Sequence, residues 1–473
     1  MKSTWPSRSL RTYRARTNLR QWPGQLFHRL SSTAPSSASA SDVERVEVRC
    51  GSSGFVTVDF HDLSKHPDST PLLIHLPPFA VPADALPYRP TCLRRYPTAV
   101  INYRWTGPSS LAGGQTSATA QVVGDFDTPL HWPTPLHDVS FAYKWITENL
   151  SPPSVGRRDV YVHGAYLGAT LAASLALTES HSHARMGIRG FIAYNGIYNW
   201  TMFLPEHKIN KPAGAAAAAA AVLSPTPLLQ QPAEGSAMRF LQQHMPVWFK
   251  SPADLFDPFV SPSLFFQTSG MLVPPSFAQT DALSAMIDKL AALGIHGSPA
   301  DLMASSGVFR TPRRSALVFP PRKSTLKIPA GLLLHDATEV AGPRTSSSSS
   351  SSSTTSAKKE KKEKKKNGRA ATTKTGASSP DAVVVKRRRR KVRGNHFEAQ
   401  ATELAGLMRR SLEKLEIPLR MKWDEDLGDG DEVVKSRVRV EDVGEPKSEQ
   451  MVMEVNERGE ELVRRWLEER ISL

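Results

Sequence analysis

Apolar and polar residues alternate along VERVEVRC (43–50) and GFVTVDF (54–60). A period of two predicts paired, half-buried strands at a sheet edge. PLLIHLPPF (71–79) is a short apolar run that ends in prolines, and PTAVINYRW (97–105) is another strand with a β-branched core. The period then lengthens. Val139, Ala142, Ile146 and Leu150 recur at helical spacing in DVSFAYKWITENL (138–150), behind Pro135, with Asp138 as the expected N-terminal anion. Next come DVYVHG (159–164, strand), AYLGATLAASLALTES (165–180, helix) and IRGFIAYNG (188–196, strand). Strands apolar on both faces, alternating with helices, predict an α/β protein with a mostly parallel sheet and helices on both faces.

The rhythm breaks over residues 197–325. They hold an alanine run, many prolines and the aromatic stretch DLFDPFVSPSLFFQTSGMLVP. The expectation is a cap inserted between two sheet strands. The sheet resumes at LKIPAGLLLHD (326–336). A helix is expected at EAQATELAGLMRRSLEKL (398–415), strands at PLRMKW (418–423) and RVRVEDV (437–443), and a terminal helix at NERGEELVRRWLEERI (456–471). Between them, residues 345–394 are a Ser/Thr run followed by KKEKKEKKK and KRRRRKVR. Such a composition has too little apolar surface to offset its chain entropy and predicts disorder. It interrupts one strand–helix–strand unit within a single domain spanning 42–473.

Charge follows the same division. The 473-residue chain carries +15, but residues 1–41 hold seven Lys/Arg and no acid, and residues 341–394 hold 17 Lys/Arg against three acids. The remainder has 36 basic and 42 acidic residues, so the body is slightly acidic. A basic folded face for nucleic acid is therefore not expected. The Arg- and Ser-rich leader 1–41 has the composition of a mitochondrial transit peptide. The run 386–393 gives the alternative, nuclear import, and the mature N-terminus of the endogenous chain distinguishes the two. Only Cys50 and Cys92 are cysteines, which excludes a disulfide scaffold and a cysteine zinc site. No apolar run reaches the ~18 residues of a membrane span.

The chemistry-bearing stretch is RDVYVHGAYLGATLAASLAL (158–177). A strand runs into Gly164-Ala165-Tyr166-Leu167-Gly168 and directly into an apolar helix. Glycines at both ends of so tight a turn mark a nucleophile elbow, where larger flanks would collide. With the strand and helix that precede it, this stretch resembles the α/β-hydrolase superfamily from about residue 45 onward. It is most similar to the esterase/lipase group with an HGGG-type oxyanion loop, as in fungal "α/β hydrolase fold-3" proteins. The resemblance implies an α/β-hydrolase sheet and ester hydrolysis by a Ser, an acid and a His.

The residues at those positions differ. Tyr166 stands where the family has its nucleophilic Ser, and a phenol titrates near pH ~10 with its oxygen further from the backbone. It is expected to fill the vacated pocket and donate one hydrogen bond, the alternative being a tyrosine nucleophile of the kind some glycosidases use. His75-Leu76-Pro77-Pro78-Phe79 stands at the oxyanion loop, and proline has no N–H to offer an oxyanion. The acid position falls on Asp336 or Glu339. The late histidines are His335, where the family's acid usually sits, and His396, and no histidine follows. Glu206-His207 does not form HExxH, His181 and His183 lack a third partner, and no P-loop or dinucleotide fingerprint occurs. No metal and no cofactor are expected. The expected function is a catalytically inactive protein that binds a small ligand or a protein partner. The alternatives are a carboxylic-ester hydrolase with a rearranged site, and a nuclear or RNA-associated adaptor acting through the basic insert.

Overall fold

Two β-branched strands open the sheet in the computed structural model, β1 (Val43–Arg49) and β2 (Phe55–His61), paired antiparallel. The structure describes residues 43–81, 86–106, 130–152, 156–204, 207–210, 236–271, 318–337, 394–423, 430–445 and 455–471. The leader, the basic insert, Glu206 and Glu339 lie outside the described residues, as does much of the expected cap. The sheet continues with β3 (Leu72–Leu76), β4 (Thr98–Asn102), β5 (Arg158–Ala165), β6 (Met186–Tyr194), β7 (Ala330–His335) and β8 (Val438–Asp442). Their order is β1-β2-β4-β3-β5-β6-β7-β8. β2 alone runs against the rest, antiparallel to both β1 and β4, and the strands from β4 through β3 and β5 to β8 are parallel. This is the α/β-hydrolase-type sheet that the sequence predicts.

Helices cover both faces. On one lie α1 (Thr134–Asn149), α2 (Leu167–Glu179) and α4 (Phe397–Ser411). α2 is apolar on every side because it is enclosed on every side: Leu167 through Leu177 are all buried. Burying a Leu or Val side chain contributes about 1.5–3 kcal/mol, so this helix is a large part of the core. The other face is covered by α6 (Glu457–Ile471), whose Trp466 packs edge-on against Tyr161 and lies over Gly190. A β-carbon on Gly190 would stand 2.7 Å from that indole. In the 197–325 region, α3 (Ala237–Trp248) is capped by Ser236 and carries Trp248 into a buried cluster with Phe79, Trp105 and Trp200.

Three local expectations are corrected. α1 begins at Thr134, because Pro135 suits a first turn. Asp138 is therefore not the N-terminal anion. It is fully buried one turn in, where Arg104 binds it through Nε at 2.9 Å and Nη2 at 2.7 Å. PLRMKW is not a strand. α4 runs on through a wide turn at Leu412–Glu416 into a helical turn at Ile417–Arg420, where Pro418 is tolerated near the start and Arg420 pairs with Glu416 at 3.0 Å. A further helix, α5 (Gly430–Arg437), was not expected; acids begin it and bases end it, matching the helix dipole.

Candidate functional site

β5 ends in a turn sharper than an ordinary strand-to-helix connection. Tyr166 has φ 48° and ψ −112°, a backbone conformation that L-residues rarely adopt. The chain can turn so tightly only because its flanks have no side chain. A β-carbon on Gly164 would stand 2.3 Å from the Gly168 carbonyl oxygen. One on Gly168 would stand 2.3 Å from the carbonyl oxygens of Leu76 and Pro77. Three backbone segments therefore cross within contact distance, and the tight, glycine-flanked turn expected at 164–168 is present.

The side chain at its apex is enclosed. Tyr166 is 2% exposed. Its ring stacks on Phe79 at 5.9 Å and meets Tyr194 and Phe397 edge-on, each at 5.8 Å. The phenol oxygen accepts from Asn195 Nδ2 at 3.3 Å. Burial pushes the Tyr166 phenol above its ordinary range, so the phenolate is disfavoured.

Asp336 comes to the same place. Its carboxylate accepts from Tyr194 Oη at 2.7 Å and from Asn195 Nδ2 at 2.7 Å, and its N–H donates to Asn195 Oδ1 at 3.0 Å. Burial raises the Asp336 carboxyl, while those two bonds oppose the shift. Asn195 thus links Tyr166 to Asp336, and it too has positive φ, 48°. Sequence reasoning passed over Asn195 and Tyr194. The Asn-Gly pair ending β6 was the available signal, since Asn tolerates this conformation better than most residues.

The loop after β3 does something other than offer donors. His75 and Leu76 belong to β3 itself, and the loop proper starts at Pro77. The Pro77 carbonyl accepts from Tyr103 Oη at 2.8 Å. The Pro78 carbonyl accepts from the Leu167 N–H at 3.2 Å. In an acting elbow, the N–H that follows the nucleophile points at the oxyanion. Here that N–H already has a carbonyl partner from the chain's own loop.

Each of the two late histidines has a partner of its own. His335 Nδ1 is 3.0 Å from the Asp336 carbonyl oxygen. His396 caps α4, accepting from Ala399 N at 3.2 Å. His181 Nδ1 lies 3.0 Å from Thr325 Oγ1, and His183 lies beside it. Among the described residues, no group of three or more His, Cys, Asp or Glu could hold a metal ion, and no helix is long and apolar enough to cross a membrane.

His75 has a different partner from the one its position suggests. It sits opposite His163 across β3 and β5, and their Nδ1 atoms are 2.9 Å apart. His163 shares the sheet face of Tyr161, the face that α6 covers. Burial lowers both imidazoles, His163 to about 4. With both rings neutral, one Nδ1 carries the shared proton and the other accepts it. The Nε2 atoms are buried and have no hydrogen-bond partner. A cavity of about 10 Å³ borders both rings together with Cys92 and Glu460, room for about one water.

No family profile matches this sequence, and no curated protein matches it. Among solved structures, the chain is similar to EstE1, a thermostable carboxylesterase cloned from a metagenomic library, at 14% identity and TM-score 0.30, covering 47% of this chain and 64% of that one. It is similar to brefeldin A esterase, a bacterial homologue of human hormone sensitive lipase, at 13% identity and TM-score 0.30, covering 50% and 59%. The esterase of Pyrobaculum calidifontis is 12% identical at TM-score 0.27, covering 47% and 59%. The match spans less than two thirds of each of these chains. At such scores the fold assignment stands on the strand order and the elbow, and the esterases' activity does not transfer.

Proposed function

We propose that this chain is a non-catalytic protein on an α/β-hydrolase-type scaffold, and that it works by binding a ligand or partner away from the elbow. The observation that carries the proposal is the hydrogen bond from Leu167 N–H to the Pro78 carbonyl. An oxyanion hole must present free donors to a developing negative charge. A carbonyl already seated on that donor repels such a charge. The Tyr166 ring supports the same conclusion, because it is enclosed by Phe79, Tyr194 and Phe397 and is not open to a substrate.

The test is ester hydrolysis together with labelling by a serine-directed fluorophosphonate. The full chain should hydrolyse short-chain esters at the buffer rate and take no label. Tyr166→Ser should also stay at background, since it restores a hydroxyl but not a free oxyanion donor. That variant should lose about 1–4 kcal/mol of stability through the cavity it leaves. Turnover by the unmutated protein that disappears in Tyr166→Phe would overturn the proposal and make the phenol a nucleophile. Turnover by Tyr166→Ser would show a competent base and donors.

A further inference from the structure

The opposite ends of the same strands carry a groove of about 440 Å³. Arg157, Arg189, Lys327 and Arg437 line it, with Asp159 and Ser182. It lies the length of β5 from Tyr166, about 25 Å, so it is independent of the elbow. Its volume is that of a small-molecule site.

Charge balance decides what it suits. Arg189 Nε binds Asp159 at 2.8 Å, and its Nη atoms donate to the carbonyls of His181 and Ala184 in the turn after α2. Arg437 binds Glu416 at 2.6 Å and donates to the Ile328 carbonyl. These two cations are therefore matched, and part of their work is to satisfy loop carbonyls. Among the described residues, the other two have no ion-pair partner of their own, although Asp159 also feels the charge of Arg157. Arg157 donates from Nη2 to the Ser182 carbonyl at 3.0 Å and, among the described residues, forms no ion pair. Lys327 is exposed and likewise forms none. Both flank one short segment: Ser180 O accepts from Lys327 N at 3.0 Å, and Ser182 N donates to Thr325 O at 3.1 Å. The body of the chain is acidic overall, so a pocket with four cations against Asp159 and Glu416 is a local exception. Its lining contains no aromatic ring, which argues against stacking on a nucleic-acid base.

We infer that this groove is a binding site for a small phosphate-bearing anion, with Arg157 and Lys327 as the cations that meet the phosphate. Arg presents a fork of donors and Lys a compact charge, and the pair suits a dianion.

Inorganic pyrophosphate is the probe, titrated into the full chain at low ionic strength and read by calorimetry and by amide hydrogen exchange. Saturable binding is expected, with slowed exchange over residues 180–189 and 325–329. Arg157→Glu with Lys327→Glu should weaken that binding tenfold or more and abolish the local protection. Both side chains are exposed, so the fold should persist, and an unchanged melting temperature checks this. Lys250→Glu with Lys422→Glu makes the same change of net charge at exposed sites elsewhere and should leave the protection intact. This control accounts for the basic leader and insert. No protection of these segments by pyrophosphate overturns the inference. So does equal weakening by both double variants, which would mean only diffuse charge attraction.

Discussion

His163 and Tyr166 are three residues apart on the same chain segment, yet they carry different kinds of stress. At Tyr166 the backbone is strained and the side chain is satisfied: φ is positive, but the ring is packed by Phe79, Tyr194 and Phe397 and its oxygen accepts a hydrogen bond. At His163 the backbone is ordinary strand and the side chain is stressed, with two buried imidazoles sharing one proton and their outer nitrogens unpaired. Strain of the first kind comes from sterics and does not respond to pH. The second kind comes from burial that disfavours the charged form of a base, and it does respond. The comparison separates what holds the turn from what limits the stability of the sheet beside it.

The largest expected effect comes from breaking the steric side. Gly168→Ala would place a β-carbon 2.3 Å from two carbonyl oxygens, both of them backbone. Neither can move without shifting β3 or the elbow. A loss of about 4 kcal/mol or more is expected, or failure to fold, measured by denaturant melts or soluble yield. Near-native stability would mean that the three segments are not packed as closely as this.

The histidine side is broken by acid. Both imidazoles are lowered in the folded chain, so above the unfolded value of ~6.5 neither state binds a proton and the full stability is present. As pH falls below that, the unfolded chain takes up protons that the folded pair refuses. Stability then drops until about pH 4, where His163 itself titrates. For His163 alone the loss is about 3 kcal/mol, since each pKa unit is worth about 1.4 kcal/mol. Asp336 works the other way, because burial raises its carboxyl. The comparison is therefore made against His75→Leu with His163→Leu, which replaces both partners by apolar groups. That variant should be flatter between pH 6.5 and pH 4 in urea melts. An equally steep fall would assign the acid sensitivity to other groups.

These two sites also differ in how much of them could be read from sequence. The elbow was legible because its cause is local. Gly164 and Gly168 bracket five residues, and the requirement for small flanks is written in the chain itself. The strands around it were legible because β-branched runs have few other ways to be buried. The histidine pair was not legible: His75 and His163 are 88 residues apart and meet only through the register of β3 against β5. The bond from Leu167 N–H to Pro78 O is of the same kind, since the prolines announced missing donors but not a carbonyl aimed at the elbow. PLRMKW shows the reverse error. Leu419, Met421 and Trp423 alternate as a strand would, yet they are 57%, 60% and 90% exposed. Period-two alternation predicts a strand only where there is a face to bury, and here the end of α4 carries the residues outward instead.

The smallest expected effect sharpens the comparison most. Tyr166→Phe keeps the ring and removes only the phenol oxygen. If the side chain stays because it fills space, the three aromatic contacts survive, and the φ and ψ of the turn do not change. What is lost is the phenol oxygen's share of the polar contacts, among them the long hydrogen bond from Asn195 Nδ2, at 3.3 Å, and the one with Tyr194. Asn195 Nδ2 is not left bare, because it also donates to Asp336 Oδ2 at 2.7 Å. A neutral hydrogen bond typically contributes ~0.5–1.5 kcal/mol, and the loss stays at the lower end because Tyr194, like Asn195, keeps its bond to Asp336. The expected loss is about 0.5–1 kcal/mol in urea melts, well below that for Tyr166→Ser, with no change in the flat esterase baseline. A loss of about 3 kcal/mol or more would place the weight on the oxygen rather than the ring. Tyr166, Asn195, Tyr194 and Asp336 would then form one cooperative polar network, and the elbow would resemble the histidine pair in depending on its polar atoms.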